Sequence, residues 1–224
     1  MKNIMTNRLG ITSDKIKVIY NPIKIKTEDA IIRNRVLNKK EITILLPGAV
    51  YNLKGGEELI NACIELTRTT NFKYNLLLIG KKGDFGNYLE HKYSDYKWIN
   101  IPGAISREDL LDLYKEVDLV CIPSWWENMP MVCIEAMLSG AIVLGSNSGG
   151  MSEIIEDGKN GFLVEPKNSI ALAKRIKEIL QLSSEEKEKI SNNAIKRIRD
   201  NFSMEVILNQ TLEYYKSVIS KEKR

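Results

Sequence analysis

The sequence predicts an α/β fold: a parallel sheet with helices on both faces, followed by a helical C-terminal tail. Three observations carry this. Short apolar runs alternate with longer stretches of helical periodicity along the first 165 or so residues. Several runs are apolar throughout, as strands covered on both faces are. Glycine, proline and lysine repeatedly follow the runs, as expected of loops that turn from a strand into a helix.

In order, the expected strands are "KVIY" (17–20), "ITILLP" (42–47), "YNLLLIG" (74–80), "WINIP" (98–102), "DLVCIP" (118–123), "AIVLG" (141–145) and "GFLV" (161–164). Helices are expected near 55–70, 85–95, 107–116, 130–139 and 150–156. The last third is all helix. "NSIALAKRIKEILQ" places Leu172, Ile176, Ile179 and Leu180 on one stripe. Ser183 and Glu186 form an S-x-x-E capping box that starts the next helix. That helix runs to about Phe202, with Ile190, Ala194 and Ile198 inward. Ser203 caps a final helix whose stripe is Met204, Ile207, Leu208, Thr211, Leu212, Tyr215 and Val218.

Composition narrows the class. With 43% apolar and 28% charged residues in 224, the chain reads as an ordinary globular protein of one large or two small domains. No apolar run approaches the roughly 18 residues of a membrane span. "MKNIMTNRLGITSD" lacks an apolar core of signal-peptide length, so a cytoplasmic location is expected. Cys63, Cys121 and Cys133 sit in apolar neighbourhoods and read as reduced core residues. His91, the single histidine, lies in the polar stretch "YLEHKYSDY" and reads as exposed. No metal site or histidine-based triad is expected. Net charge is +4, unevenly spread: residues 167–224 hold 13 basic and 8 acidic side chains, the remainder 20 and 21. The basic tail fits solvated helix faces or peripheral contact with an acidic membrane surface. Aromatic and basic residues do not interleave as nucleic-acid binding requires.

In open parallel sheets, ligands bind beyond the carboxyl ends of the strands. The loops there are Gly48 to Lys54-Gly55-Gly56, Gly80 to Lys81-Lys82, Gly103 to Ile105, Pro123-Ser124 to Glu127, and Gly145 to Ser148-Gly149-Gly150. Glycines and lysines at one edge suit an anionic ligand. Pro130 is tolerated at a helix start, so the turn from Asn128 to Val132 presents free N–H groups, which favour phosphate. Gly149-Gly150 opens a second such helix, or makes a tight turn with Glu153 capping it. Glu135 is the anomaly, a carboxylate on a helix that is otherwise apolar all round. Its partner is either a ribose diol, for which an ionised carboxylate is a two-oxygen acceptor, or an internal cation or backbone donor. Glu127, on the preceding loop, would accept hydrogen bonds from a sugar or assist charge movement.

"PSWWENMPMVCIEAMLSGAIVLGSNSGGMSEIIEDGKNGFLV" (123–164) resembles the donor-binding signature of retaining glycosyltransferases of the GT-B fold, glycosyltransferase family 4 type. The matching features are Pro123-Ser124, the pair Glu127 and Glu135 eight apart, Glu135-Ala136-Met137, Gly140, Gly149-Gly150, Glu153 and the "DGKNGFLV" turn. "LLPGAVYNLKGGEELINA", "YNLLLIGKKG" and "INIPGAISREDLLDLYKEVDLVCIPS" resemble the preceding segments, so the likeness covers about residues 14 to 220. It implies the Rossmann-like C-terminal half of a GT-B fold that binds a UDP-, GDP- or similar sugar nucleotide. By that resemblance Lys54 lies at the diphosphate, Gly48 belongs to the donor-binding set, backbone near Ile105 faces the base, and Glu135 meets the ribose hydroxyls; Lys81 is added by its proximity to Lys54. Glu127, as the catalytic group, lies at the sugar with Asn128, Met129, Pro130, Met131 and Val132. No catalytic metal or cofactor is implied. The expected product is a sugar transferred with retained configuration to a glycan or lipid-linked acceptor, in surface polysaccharide or glycoconjugate synthesis.

The sequence departs from the family pattern in three ways. Ala49 stands where the family carries an arginine, and Asn128-Met129-Pro130 replaces a Gly-aromatic-Gly. A GT-B enzyme has two Rossmann-like halves, and this sequence reads as one. The expected organisation is residues 1–22 as the end of an acceptor half and its linker, 23–182 as the sugar-nucleotide unit, and 183–224 as helices packing toward the acceptor half. The expected partner is therefore an acceptor-binding domain in cis or in trans. Two alternatives stay open: a non-catalytic sugar-nucleotide-binding subunit, and another GT-B-like enzyme such as an epimerase or phosphorylase.

Overall fold

The computed structural model describes residues 2–25 and 41–222. Residues 26–40 of the expected middle unit lie outside them. Six strands form one sheet: β1 (Glu41–Pro47), β2 (Lys73–Ile79), β3 (Ile99–Gly103), β4 (Leu119–Ile122), β5 (Val143–Ser146) and β6 (Phe162–Val164). Their order is β3-β2-β1-β4-β5-β6, and every pairing is parallel. β4 and β5 are buried at every position, which is why their sequences show no polar alternation.

Successive side chains of a strand point to opposite faces, and the core divides accordingly. Ile44, Leu46, Leu76, Leu78, Cys121 and Leu144 face one layer, with helices α2 (Gly56–Thr69), α3 (Gly83–Lys92) and α7 (Ser169–Leu180). Leu45, Ile79, Val120, Ile122 and Val143 face the other. That layer contains α4 (Arg107–Glu116), α5 (Met131–Leu138), the short α6 (Met151–Ile154) and α8 (Ser184–Phe202). α5 is buried at Cys133, Ile134, Ala136, Met137 and Leu138. It is held to α8 where the buried Ser191 hydroxyl donates to Gly140 O at 2.8 Å. The capping box of Ser183 and Glu186 is formed at the start of α8.

Two peripheral helices complete the described chain: α1 (Lys2–Leu9) and α9 (Met204–Glu222). Along the expected stripe of α9 only Ile207 is buried, while Leu208, Leu212 and Tyr215 are exposed. No described helix is long and apolar enough to cross a membrane.

One expected strand is corrected. Among the described residues "KVIY" (17–20) joins no sheet, and the ladder contact found nearby is a parallel bridge between Ile23 and Ser203. The Ile23 N–H donates to Phe202 O at 2.8 Å, and the Met204 N–H donates to Ile23 O at 3.0 Å. Tyr20 of this segment serves the corner between α8 and α9, lying against the Phe202 ring at 5.1 Å, while Val18 is exposed. A short apolar run marks a covered segment without naming its cover, and here a helix corner supplies part of it.

Candidate functional site

In this strand order the direction of winding reverses between β1 and β4. The crevice at such a switch point is where open α/β sheets receive ligands. The loops after these two strands meet there. After β1, the 3-10 turn Asn52–Lys54 ends on Gly55, which takes a left-handed conformation with φ 72°. A Cβ on Gly55 would lie 2.3 Å from Pro123 O, so this glycine lets the β1 loop press onto the β4 loop. The Trp125 N–H donates to Leu53 O at 2.8 Å and closes the contact.

This junction brings Lys54 to Glu127. The ammonium Nζ lies 2.6 Å from Glu127 Oε1, and the Ser124 hydroxyl donates to the same oxygen at 2.7 Å. The Lys54 side chain is 32% exposed and that of Glu127 11%. The pair therefore stands at the border of core and crevice. Beneath it, the Ser146 hydroxyl at the end of β5 donates to Ser124 O. From the side, the Gly150 N–H donates to Glu127 O at 2.7 Å. Cβ atoms at Gly149 and Gly150 would lie 1.9 Å from Glu127 O and 1.8 Å from Asn128 O. Gly149-Gly150 is thus a close-approach buttress for the Glu127 loop, and its amide is spent on that loop. Gly149-Gly150 does open a helix, as expected, but α6 has only four residues, and Glu153 accepts the Tyr20 hydroxyl at 2.8 Å.

α5 begins beside this loop. Pro130 is its N-cap, one residue before the first helical position. The Cys133 N–H folds back to Pro130 O at 3.0 Å. No acceptor for the Met131 or Val132 N–H is found among the described residues. Glu135 follows a little over one turn later. Both Nε and Nη2 of Arg107 donate to its Oε1, at 3.0 and 2.8 Å. The Glu135 side chain is 13% exposed and that of Arg107 62%. Burial pushes the Tyr114 phenol of α4 far above its usual range, and the Glu135 charge adds to this. Burial also pushes the Cys133 thiol well up, with a contribution from Glu127.

The family model for Glycosyl transferases group 1 matches residues 27–197. The chain belongs to that family. A glycosyltransferase of Methanocaldococcus jannaschii is 34% identical over 228 residues, covering 96% of this chain and 57% of the relative. A glycosyltransferase structure from Rickettsia africae superposes with a TM-score of 0.82 at 25% identity, covering 97% of this chain and 61% of that one. The Anabaena protein HepE, crystallised with UDP and glucose, superposes at 0.76 with 24% identity over 94% and 59% of the two chains. The fold is the Rossmann-like C-terminal half of the GT-B architecture. The chain spans between 43% and 61% of the length of the first curated relatives it matches.

Within this glycosyltransferase fold the expected site residues fall into two groups. Gly48, Lys54, Glu127, Asn128, Met129 and Pro130 gather around the β1–β4 crevice. The exposed Lys81 is tied to this group through its carbonyl, which accepts the Val50 N–H at 2.9 Å. Met131, Val132 and Glu135 are the half-buried residues of α5, the other five being buried. Ile105, 38% exposed, is joined to them by Arg107 two residues later. Ser124 and Arg107 are the groups that sequence reasoning left without a role. Arg107 had a signal: it is the first residue of α4, where the helix dipole disfavours a cation. A cation there points to an anionic partner elsewhere. Met129 has a further tie, accepting the Asn21 N–H on its sulfur at 3.2 Å, which pairing rules for strands and helices do not foretell.

Proposed function

We propose that this chain is the donor-binding half of a retaining, family-4-type glycosyltransferase. It takes a UDP-, GDP- or similar sugar nucleotide and passes the sugar to a glycan or lipid-linked acceptor in surface polysaccharide or glycoconjugate synthesis. The observation that carries the reading is the Lys54–Glu127 pair at the switch point, directly beside the α5 N-terminus. An ammonium has three donors, so Lys54 can stay on Glu127 and also meet a diphosphate oxygen. The first N–H groups of α5 supply further positive potential. Transfer breaks the anomeric C–O bond and leaves its electron pair on the diphosphate, where these groups neutralise it. The acceptor hydroxyl adds to the same face, and its proton leaves with the diphosphate. Glu127, fixed by Ser124 and Lys54, accepts a sugar hydroxyl and balances charge at the anomeric carbon. Glu135 takes the ribose, and backbone near Ile105 meets the base. UDP bound to a neighbour of the same fold is consistent with this class of ligand.

The acceptor is held by a second α/β unit, in cis or in trans. The stripe of Leu208, Leu212 and Tyr215 on α9 is offered to that unit. The location consistent with this chemistry is the cytoplasm or the cytoplasmic membrane face, with the basic tail toward acidic lipid. Ala49 favours a second reading, a sugar-nucleotide-binding subunit that does no chemistry itself. Calorimetric titration with UDP, GDP and their sugar esters tests the donor site. At least one of them should bind, and Lys54→Ala should weaken it. No binding by any of them removes the donor-site reading. Supplying an acceptor half then separates the enzyme, which transfers, from the silent subunit.

A further inference from the structure

Resting on that donor-site reading, we infer that Arg107 is a positioning residue that makes Glu135 read the ribose through a single oxygen. A carboxylate oxygen carries two lone pairs. Arg107 places two donors on Oε1, from Nε and Nη2, and so fills both. No hydrogen bond to Glu135 Oε2 is found among the described residues. A vicinal diol arriving at this carboxylate therefore finds one vacant oxygen with two lone pairs, enough for both hydroxyl hydrogens. A guanidinium donates from a rigid planar fork, so the grip sets the rotation of the carboxylate plane as well as its charge. The anchor is itself fixed in the fold. Arg107 opens α4, whose N-cap Ser106 accepts the Asp109 N–H at 3.1 Å. α4 is seated by the buried Tyr114, close enough to feel the Glu135 charge. The loop that ends at Ser106 carries Ile105, so one short segment sets both the base-facing backbone and the orientation of the ribose acceptor.

The opposite arrangement is a plug, in which Arg107 occupies the ribose position and must leave before the donor enters. The two differ in sign. A positioning arginine makes Arg107→Ala bind the donor nucleotide more weakly; a plug makes the same variant bind more tightly.

The test uses the 224-residue chain with UDP and GDP, and with the 2′-deoxy and 3′-deoxy forms of whichever binds more tightly. Positioning predicts that Arg107→Ala weakens the ribonucleotide about three- to tenfold. It should weaken the deoxy forms less, so that the preference for ribose shrinks. Arg107→Lys keeps the charge but loses the fork, and should recover only part of that preference. Glu135→Gln should lose the preference whatever stands at 107. Tighter binding by Arg107→Ala overturns the inference in favour of the plug. An equal loss for ribo- and deoxynucleotides overturns it in favour of a general charge effect. An unchanged affinity overturns it outright. Melting curves for each variant exclude misfolding. If the unaltered chain binds no nucleoside diphosphate, the donor-site reading fails first. If it binds them and Glu135→Gln alone removes the ribose preference, only the role of Arg107 fails.

Discussion

Glu127 and Glu135 stand eight residues apart in one motif, and the fold holds them by different means. Glu127 sits on a loop and is fixed from inside, by the buried Ser124 hydroxyl, by Lys54 from a neighbouring loop and by the Gly149-Gly150 backbone beside it. Glu135 sits on a rigid buried helix, yet its carboxylate is held from outside, by an arginine that is mostly solvent-exposed. A group on a loop needs the interior to place it, whereas a group on a helix is already placed and needs only its orientation set. Changes in the core should therefore reach Glu127 first, and changes at the surface should reach Glu135.

The largest effect is expected where the buttress is filled. Gly149→Ala or Gly150→Ala would drive a Cβ to within 2 Å of the carbonyl of Glu127 or Asn128, and backbone atoms there cannot step aside cheaply. A cost of about 2–4 kcal/mol follows for such a clash, read as a fall in melting temperature of roughly 5–15 °C. Gly158→Ala is the control. It shares the positive φ of Gly149 but has open space around the added carbon, so only about 1–2 kcal/mol of backbone strain applies. Equal melting of all three variants would break the claim that Glu127 depends on its buttress.

Next in size are the carboxylates themselves. In a two-half enzyme, Glu127→Gln should lower turnover about a hundredfold at saturating donor, as for a positioned group that acts on developing charge. Glu135→Ala should leave that turnover close to normal and weaken donor binding by about 1.5–3 kcal/mol, one to two decades. The split between kcat and KM is the measurement. If both variants lost turnover alike, the two positions would share one task and the comparison would collapse.

Lys54→Ala is expected to fall below these. Its ammonium should serve the diphosphate, so UDP should lose roughly tenfold in affinity while uridine changes little. Calorimetry with the two ligands decides; a parallel loss would take Lys54 away from the phosphates.

Much of this was legible in the sequence because the informative signals are local. Every strand of the sheet is marked by an apolar run, and the capping box of Ser183 and Glu186 needs only four residues to be read. The switch point followed less directly. Strand order is a long-range property, and nothing in residues 42–47 or 118–123 says that these two become neighbours. For the same reason the Lys54–Glu127 contact, across 73 residues, could be expected only as shared membership of one edge. Glu135 was recognised as needing a partner, since its neighbours along the helix are apolar. Which partner it has depends on where the start of α4 lies in space. The segment at 17–20 shows the limit of such signals: a short apolar run reports that something covers the chain without saying whether a sheet or a helix corner does.

The smallest expected effect is also the most direct test of the contrast between an inside and an outside grip. Double-mutant cycles on thermal stability give the coupling within each pair, free of the other effects of each substitution. For Arg107 and Glu135 the coupling should fall in the range of exposed ion pairs, about 0.2–1 kcal/mol, because the guanidinium keeps most of its water. Raising the salt should reduce it further, since exposed charges are screened. For Lys54 and Glu127 the carboxylate is more enclosed and shares its oxygen with Ser124, so removing one partner leaves a partly desolvated charge behind. The coupling there should be larger, about 1–2 kcal/mol after allowing for the exposure of the lysine, and should change less with salt. A stronger or less salt-sensitive coupling in the Arg107–Glu135 pair would mean that the surface arginine is as much part of the interior grip as Lys54. The distinction between the two carboxylates would then have to be given up.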